Sequence, residues 1–316
     1  AQEYIVVLKG NPKEKSSLIK KKQLRKLRRR IESLGGSVLQ DYFRILIGSH
    51  VSLKPKNLSI LKQDSEIQSI SPNSLAYLSD NSTVAKSWGL DRVDQYNKAL
   101  NGRYTVFNTG KGAHVYIMDT GVRSTHQEFS GRIGDGYSAL PDSNKPYFSP
   151  YVDCHGHGTH VAGTALGTSS GLARQATLHS VKVFGCEGST PWSVILNGYE
   201  WIIANHKKPA VVNMSFGGEK NEAVNTAVAN MVKAGIHAVN SAGNSNDDAC
   251  KYSPASTTEA ITVAATNPQD ERVTPGFWGS NYGTCVDIFA PGFSIVSASH
   301  SSNGSRATMS GTSMAA

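Results

Sequence analysis

The chain has 316 residues, 39% hydrophobic and 18% charged, with a net charge of +8. That is the balance of an ordinary soluble protein, and no uninterrupted apolar run nears the ~20 residues a membrane helix needs. The charge is uneven, since residues 1–79 carry 15 Lys/Arg against 6 Asp/Glu and residues 80–316 carry 17 against 18, so a nucleic-acid surface is excluded from the last three quarters.

Residues 3–9 (Glu-Tyr-Ile-Val-Val-Leu-Lys) are β-branched and apolar enough for a strand. In the basic stretch 13–30 and just after it, Leu18, Ile19, Leu24, Leu27 and Ile31 recur at roughly helical spacing. They predict a helix with one buried stripe and a solvated basic face, in preference to a polyanion site. It ends near Leu34-Gly-Gly36, where glycine can take a left-handed cap. Strands at 37–40 and 44–48, a short helix at 57–62 and a strand at 67–70 complete a β-α-β-β-α-β order, the ferredoxin-like split βαβ pattern.

A polar linker at 80–86 follows. Beyond it, apolar runs at 113–118, 177–184, 210–216, 237–240, 261–264 and 286–290 alternate with helical patterns. This predicts an α/β domain with a doubly wound, mostly parallel sheet covered on both faces. Ligands of such sheets bind at the carboxyl ends of the strands, and Asp119 and Asn244 each lie just past one.

Three segments carry chemistry. Asp119-Thr-Gly121 ends an apolar strand, His157 sits between two glycines in Asp153-Cys-His155-Gly-His157-Gly-Thr-His160, and Ser313 lies in Ser310-Gly-Thr-Ser313-Met. A carboxylate that orients an imidazole, an imidazole that takes a hydroxyl proton, and a serine that attacks a carbonyl form a nucleophilic triad. The chain order Asp-His-Ser is the subtilisin order. Ser241-Ala242-Gly243-Asn244 is a fourth element, whose amide would meet the developing oxyanion together with the Ser313 N–H. His155 and His160 invite a zinc reading, but the Glu of a His-Glu-x-x-His motif is missing. Asp153 is read as a loop carboxylate.

On these four motifs the chain resembles the subtilase serine peptidases of the proteinase K-like branch, and 87–93 resembles the start of their mature enzymes. The resemblance implies a serine endopeptidase with catalytic Asp119, His157 and Ser313 that needs no cofactor for its chemistry. It implies that residues 1–79 are a propeptide acting as an intramolecular inhibitor, with 71–79 in the groove as a product-like strand and self-cleavage near Leu78 or Ser79. The peptidase domain is then 80–316. Gly188-Ser189-Thr190 and Ser215-Phe216-Gly217 become the two edges that sandwich a peptide substrate, with Ser241, Ala242 and Gly243 as an uncharged pocket wall, so a neutral residue is expected before the cut.

The four cysteines allow three pairings. Their contexts resemble those of the lipoprotein-receptor-regulating proprotein convertase of the same branch, which implies Cys154–Cys186 and Cys250–Cys285, an oxidising compartment, and a secreted, secretory-pathway or vacuolar-type location. Sequons at Asn57, Asn81, Asn213 and Asn303 fit that location only weakly. Structural calcium at Asp287, with carbonyls of Thr258 and Ala260, is a further implication. The same convertase supplies the second functional reading, a protein that cuts itself once, keeps its propeptide and binds a receptor. Retention of Asp119-Thr-Gly121, where that convertase departs from glycine, favours the peptidase. Because subtilases continue past the serine into a long helix, a chain ending at Ala316 is expected to be a fragment.

Overall fold

The structure, a computed structural model, describes the chain apart from residues 1, 11–16, 79–80, 83–86, 98, 105–107, 142–145, 275 and 277. In residues 2–72, the strands Gln2–Leu8, Ser37–Tyr42, Gly48–Leu53 and Ile67–Pro72 form an antiparallel sheet. Its spatial order is second, third, first, fourth, with helices Ser17–Ser33 and Leu58–Lys62 as the connections that carry the chain across. From Tyr4 to Leu8 the first strand is apolar because both of its faces are buried there. Tyr4, Val6 and Leu8 pack with Leu24, Leu27 and Ile31 of the long helix, whereas Ile5 and Val7 join the core of the larger sheet domain.

Two sequence expectations fail here. Leu18 and Ile19 are exposed, at 78% and 52%; the buried face runs through Lys20, Leu24, Leu27 and Ile31, whose three- and four-residue spacing leaves 18 and 19 on other faces. The strand expected at 44–48 lies instead at Gly48–Leu53. Ile45 and Leu46 are apolar because they enter the core of the larger domain, where the Ile45 and Arg44 N–H groups donate to the Glu200 carboxylate.

The larger domain holds a seven-stranded sheet in the order Ile288–Pro291, Ile261–Thr266, Ile236–Ser241, Ala210–Met214, His114–Asp119, Thr177–Lys182, Tyr137–Ser138, with every pairing parallel. Helices His157–Leu166, Trp192–Asn205 and Glu222–Lys233 flank it. The run expected at 210–216 breaks at Ser215, and Phe216–Glu219 leaves for a separate antiparallel sheet. The cysteines pair as Cys154–Cys186 and Cys250–Cys285, with Cα atoms 5.2 and 5.3 Å apart, and the first bond ties the loop before helix 157–166 to the segment after strand 177–182. Among the described residues no helix is long and apolar enough to cross a membrane.

Candidate active site

Strand 114–119 delivers Asp119 to the carboxyl end of the sheet, and helix 157–166 starts against it. Glycine makes the approach possible. Gly121 has φ +95°, and a Cβ there would lie 2.5 Å from the Val152 carbonyl; one on Gly158 would lie 2.2 Å from the Gly121 carbonyl. With both side chains fully buried, His157 Nδ1 lies 2.8 and 2.9 Å from the two Asp119 oxygens. An ionised carboxylate only accepts, so Nδ1 carries the hydrogen and Nε2 is left with its lone pair.

Ser313 is the second residue of the short helix Thr312–Ala315, which contacts helix 157–166. The Ser313 hydroxyl donates to the Ser215 carbonyl at 3.2 Å, and the Ser215 hydroxyl lies 3.1 Å from the Ser313 carbonyl. Asn244 is held through its oxygen. Oδ1 accepts the Thr312 N–H at 3.0 Å and the Thr312 hydroxyl at 2.9 Å, while Nδ2 is buried with no partner among the described residues. An amide so anchored presents a donor with nothing to bond, which is the state that a developing negative charge would relieve.

The other predicted residues fall as follows. Leu75–Leu78 is a strand inserted antiparallel between Ser189–Pro191 and Phe216–Glu219, with Tyr77 opposite both Ser189 and Gly217 and Leu78 opposite Phe216. The residue after Leu78 lies outside the described residues. Gly188 turns the chain into its strand at φ +67°. Ser241 and Ala242 are buried, and Gly243, at φ +102°, closes on Asn281, whose amide bonds the Ala242 carbonyl and the Ser245 and Asp247 N–H groups. His160 Nε2 lies 3.1 and 3.2 Å from the carbonyls of Ile295 and Ala307. Asp287 Oδ2 accepts the Thr262 N–H at 2.8 Å. Thr312 and Thr120 lie inside the motifs of Ser313 and Asp119, and Asn281 has no local signal in the sequence.

Fold and site define an α/β protein in which a carboxylate–imidazole pair, a hydroxyl and an unpaired amide gather at the carboxyl end of a parallel sheet. The chain belongs to the subtilase family, whose model matches residues 110–316. It is 46% identical over 281 residues to an extracellular serine proteinase of Thermus sp. (strain Rt41A), covering 89% of this chain and 66% of that protein. It is 40% identical over 273 residues to alkaline serine exoprotease A of Vibrio alginolyticus, covering 85% of this chain and 49% of that protein. The chain thus spans 66% and 49% of the length of these two relatives. The crystal structure of a cold-adapted subtilisin-like serine proteinase superposes with a TM-score of 0.67 at 42% identity, covering 72% of this chain and 80% of that one.

Proposed function

We propose that the protein is a secreted serine endopeptidase that cuts itself from a zymogen. The observation that carries this is the strand 75–78, which lies between two edge segments as an extended peptide would and runs toward Ser215, the residue bonded to Ser313. In this reading His157 Nε2 takes the Ser313 hydroxyl proton as Oγ attacks the peptide carbonyl. Asn244 Nδ2 and the Ser313 N–H receive the oxyanion. The proton passes to the departing amine, and water then releases the acyl group by the same route in reverse. Asp119 stabilises the imidazolium and keeps its tautomer.

Residues 1–79 are then the inhibitor, still docked, and the cut falls near Leu78 or Ser79. An edge that bonds backbone reads few side chains, so a broad preference for neutral residues is expected. Secretion fits the extracellular relative and the paired cysteines. The chemistry needs no cofactor. Calcium held by Asp287 with the Thr258 and Ala260 carbonyls would stabilise the fold and take no part in the chemistry. It predicts a higher Tm in calcium than in chelator, lost in Asp287→Asn.

The test is turnover of a neutral fluorogenic peptide. Hydrolysis abolished by a serine-directed inhibitor, and mass spectrometry showing a cut near residue 79 that Ser313→Ala prevents, uphold the reading. Self-cleavage without turnover favours the receptor-binding alternative, and neither activity refutes both.

A further inference from the structure

Lys182 is fully buried at the carboxyl end of strand 177–182. Its ammonium donates to the Thr120 carbonyl at 2.6 Å and the Val152 carbonyl at 2.7 Å. Thr120 follows Asp119, and Val152 precedes the segment that leads to His157, so one cation ties together the two turns that carry the pair.

Asp153, 8% exposed, does the same with the opposite charge. Its Oδ1 accepts the N–H groups of His155 at 3.1 Å and Gly156 at 2.7 Å and the Thr120 hydroxyl at 2.9 Å. Its Oδ2 accepts the Thr159 N–H at 2.9 Å and hydroxyl at 2.6 Å. The Thr120 hydroxyl in turn accepts the Gly158 N–H at 2.9 Å, closing the path back to the helix of His157. Five donors thus converge on one buried carboxylate, drawn from the turns on both sides of the pair.

We propose that Lys182 and Asp153 are a charge-balanced pair of positioning residues that sets the proton affinity of His157. The proposal rests on the peptidase reading of the site. With Asp119 and Asp153 negative and Lys182 positive, the buried set carries one net negative charge, which a protonated His157 cancels. Without Lys182 two negative charges would hold the imidazolium more tightly; without Asp153 the Lys182 charge would offset that of Asp119 and hold it less tightly. Burial drives the Lys182 ammonium toward losing its proton, and the charges of Asp153 and Asp119 oppose this. The other titratable or charged groups near His157 do not supply the balance. His155 has its ring centroid 6.3 Å away, and His160 is pushed down to about 4 by burial and by His157, so it stays neutral at working pH. His300 lies against Gly156, and Arg123 donates to the His300 carbonyl and Asn303.

The test titrates the His157 imidazole by NMR in the full chain carrying Ser313→Ala, and follows the acidic limb of kcat/KM in the chain with Ser313 intact. Lys182→Met should raise both midpoints and Asp153→Asn should lower both, each by on the order of half to one pH unit. The double variant Asp153→Asn/Lys182→Met should return close to the parent. Shifts of the same sign in the two single variants, or no shift in either, overturn the proposal, because loss of packing alone gives no opposed signs. If the single variants fail to fold, a double variant that folds with the parent titration upholds it, and a double no better than the singles overturns it. His157 midpoints that move as stated in a chain without peptide turnover leave the pair standing and refute the peptidase reading instead.

Discussion

Thr312 fixes which way the Asn244 amide points, since both of its polar groups bond to Oδ1 and none to Nδ2. Asn244→Ala is therefore expected to lower kcat by about 10²–10³ with little change in KM, the magnitude known for the equivalent asparagine of a subtilisin. Steady-state kinetics check it, and a loss expressed mainly in KM would remove Asn244 from the oxyanion role. His160 makes a second prediction at this scale. Burial, and after it the His157 charge, pushes its pKa from 6.5 to about 4. A depressed histidine contributes stability that is present above pH 6.5 and lost as the pH falls toward 4, here roughly 3 kcal/mol. Urea unfolding at stepped pH should show that loss between pH 6.5 and 4, and it should be much smaller in His160→Gln.

Among the elements, helix 192–205 and the segment 43–47 meet through Glu200, which accepts two backbone N–H groups across the junction. Burial raises the Glu200 pKa above the ordinary carboxylate value, although the Ile45 and Arg44 N–H groups and the Arg44 charge pull it back. The sign follows from linkage. A carboxyl raised in the folded state contributes stability that is fully present below its unfolded pKa and lost as the pH climbs through the raised value. Glu200→Gln is expected to gain urea resistance relative to the parent as the pH rises from about 4 to 7. A difference that is flat across that range would show that the charge of Glu200 does not matter to docking. Helix 222–233 adds a second tie, because its N-cap Asn221 accepts the Ala223 and Val224 N–H groups and donates to the Pro72 carbonyl.

At the scale of the whole molecule, one apolar cluster joins Ile5, Val7, Tyr42, Ile45 and Leu46 of the first 79 residues to Tyr199, Ile202, Ala227 and Met231 of the larger domain's helices. Removing a buried isoleucine side chain costs about 2–5 kcal/mol, and an unpaired charge there costs more. Ile45→Asp is expected to undock the smaller unit, read as a larger radius of gyration in X-ray scattering; an unchanged radius would show that docking does not rest on this contact.

The sequence by itself determined the parallel sheet and offered Asp119, His157, Asn244 and Ser313 as candidates, because strand patterning and the glycines that allow close approach are local features. The tertiary structure alone decided that 43–47 is a docking segment, that Ser215 breaks a strand, and that the Lys182 ammonium bonds the Thr120 and Val152 carbonyls. A lysine within an apolar run was visible in the chain, but its partner was not. Whether a buried charge is balanced depends on which groups approach it from distant segments, and no local period records that.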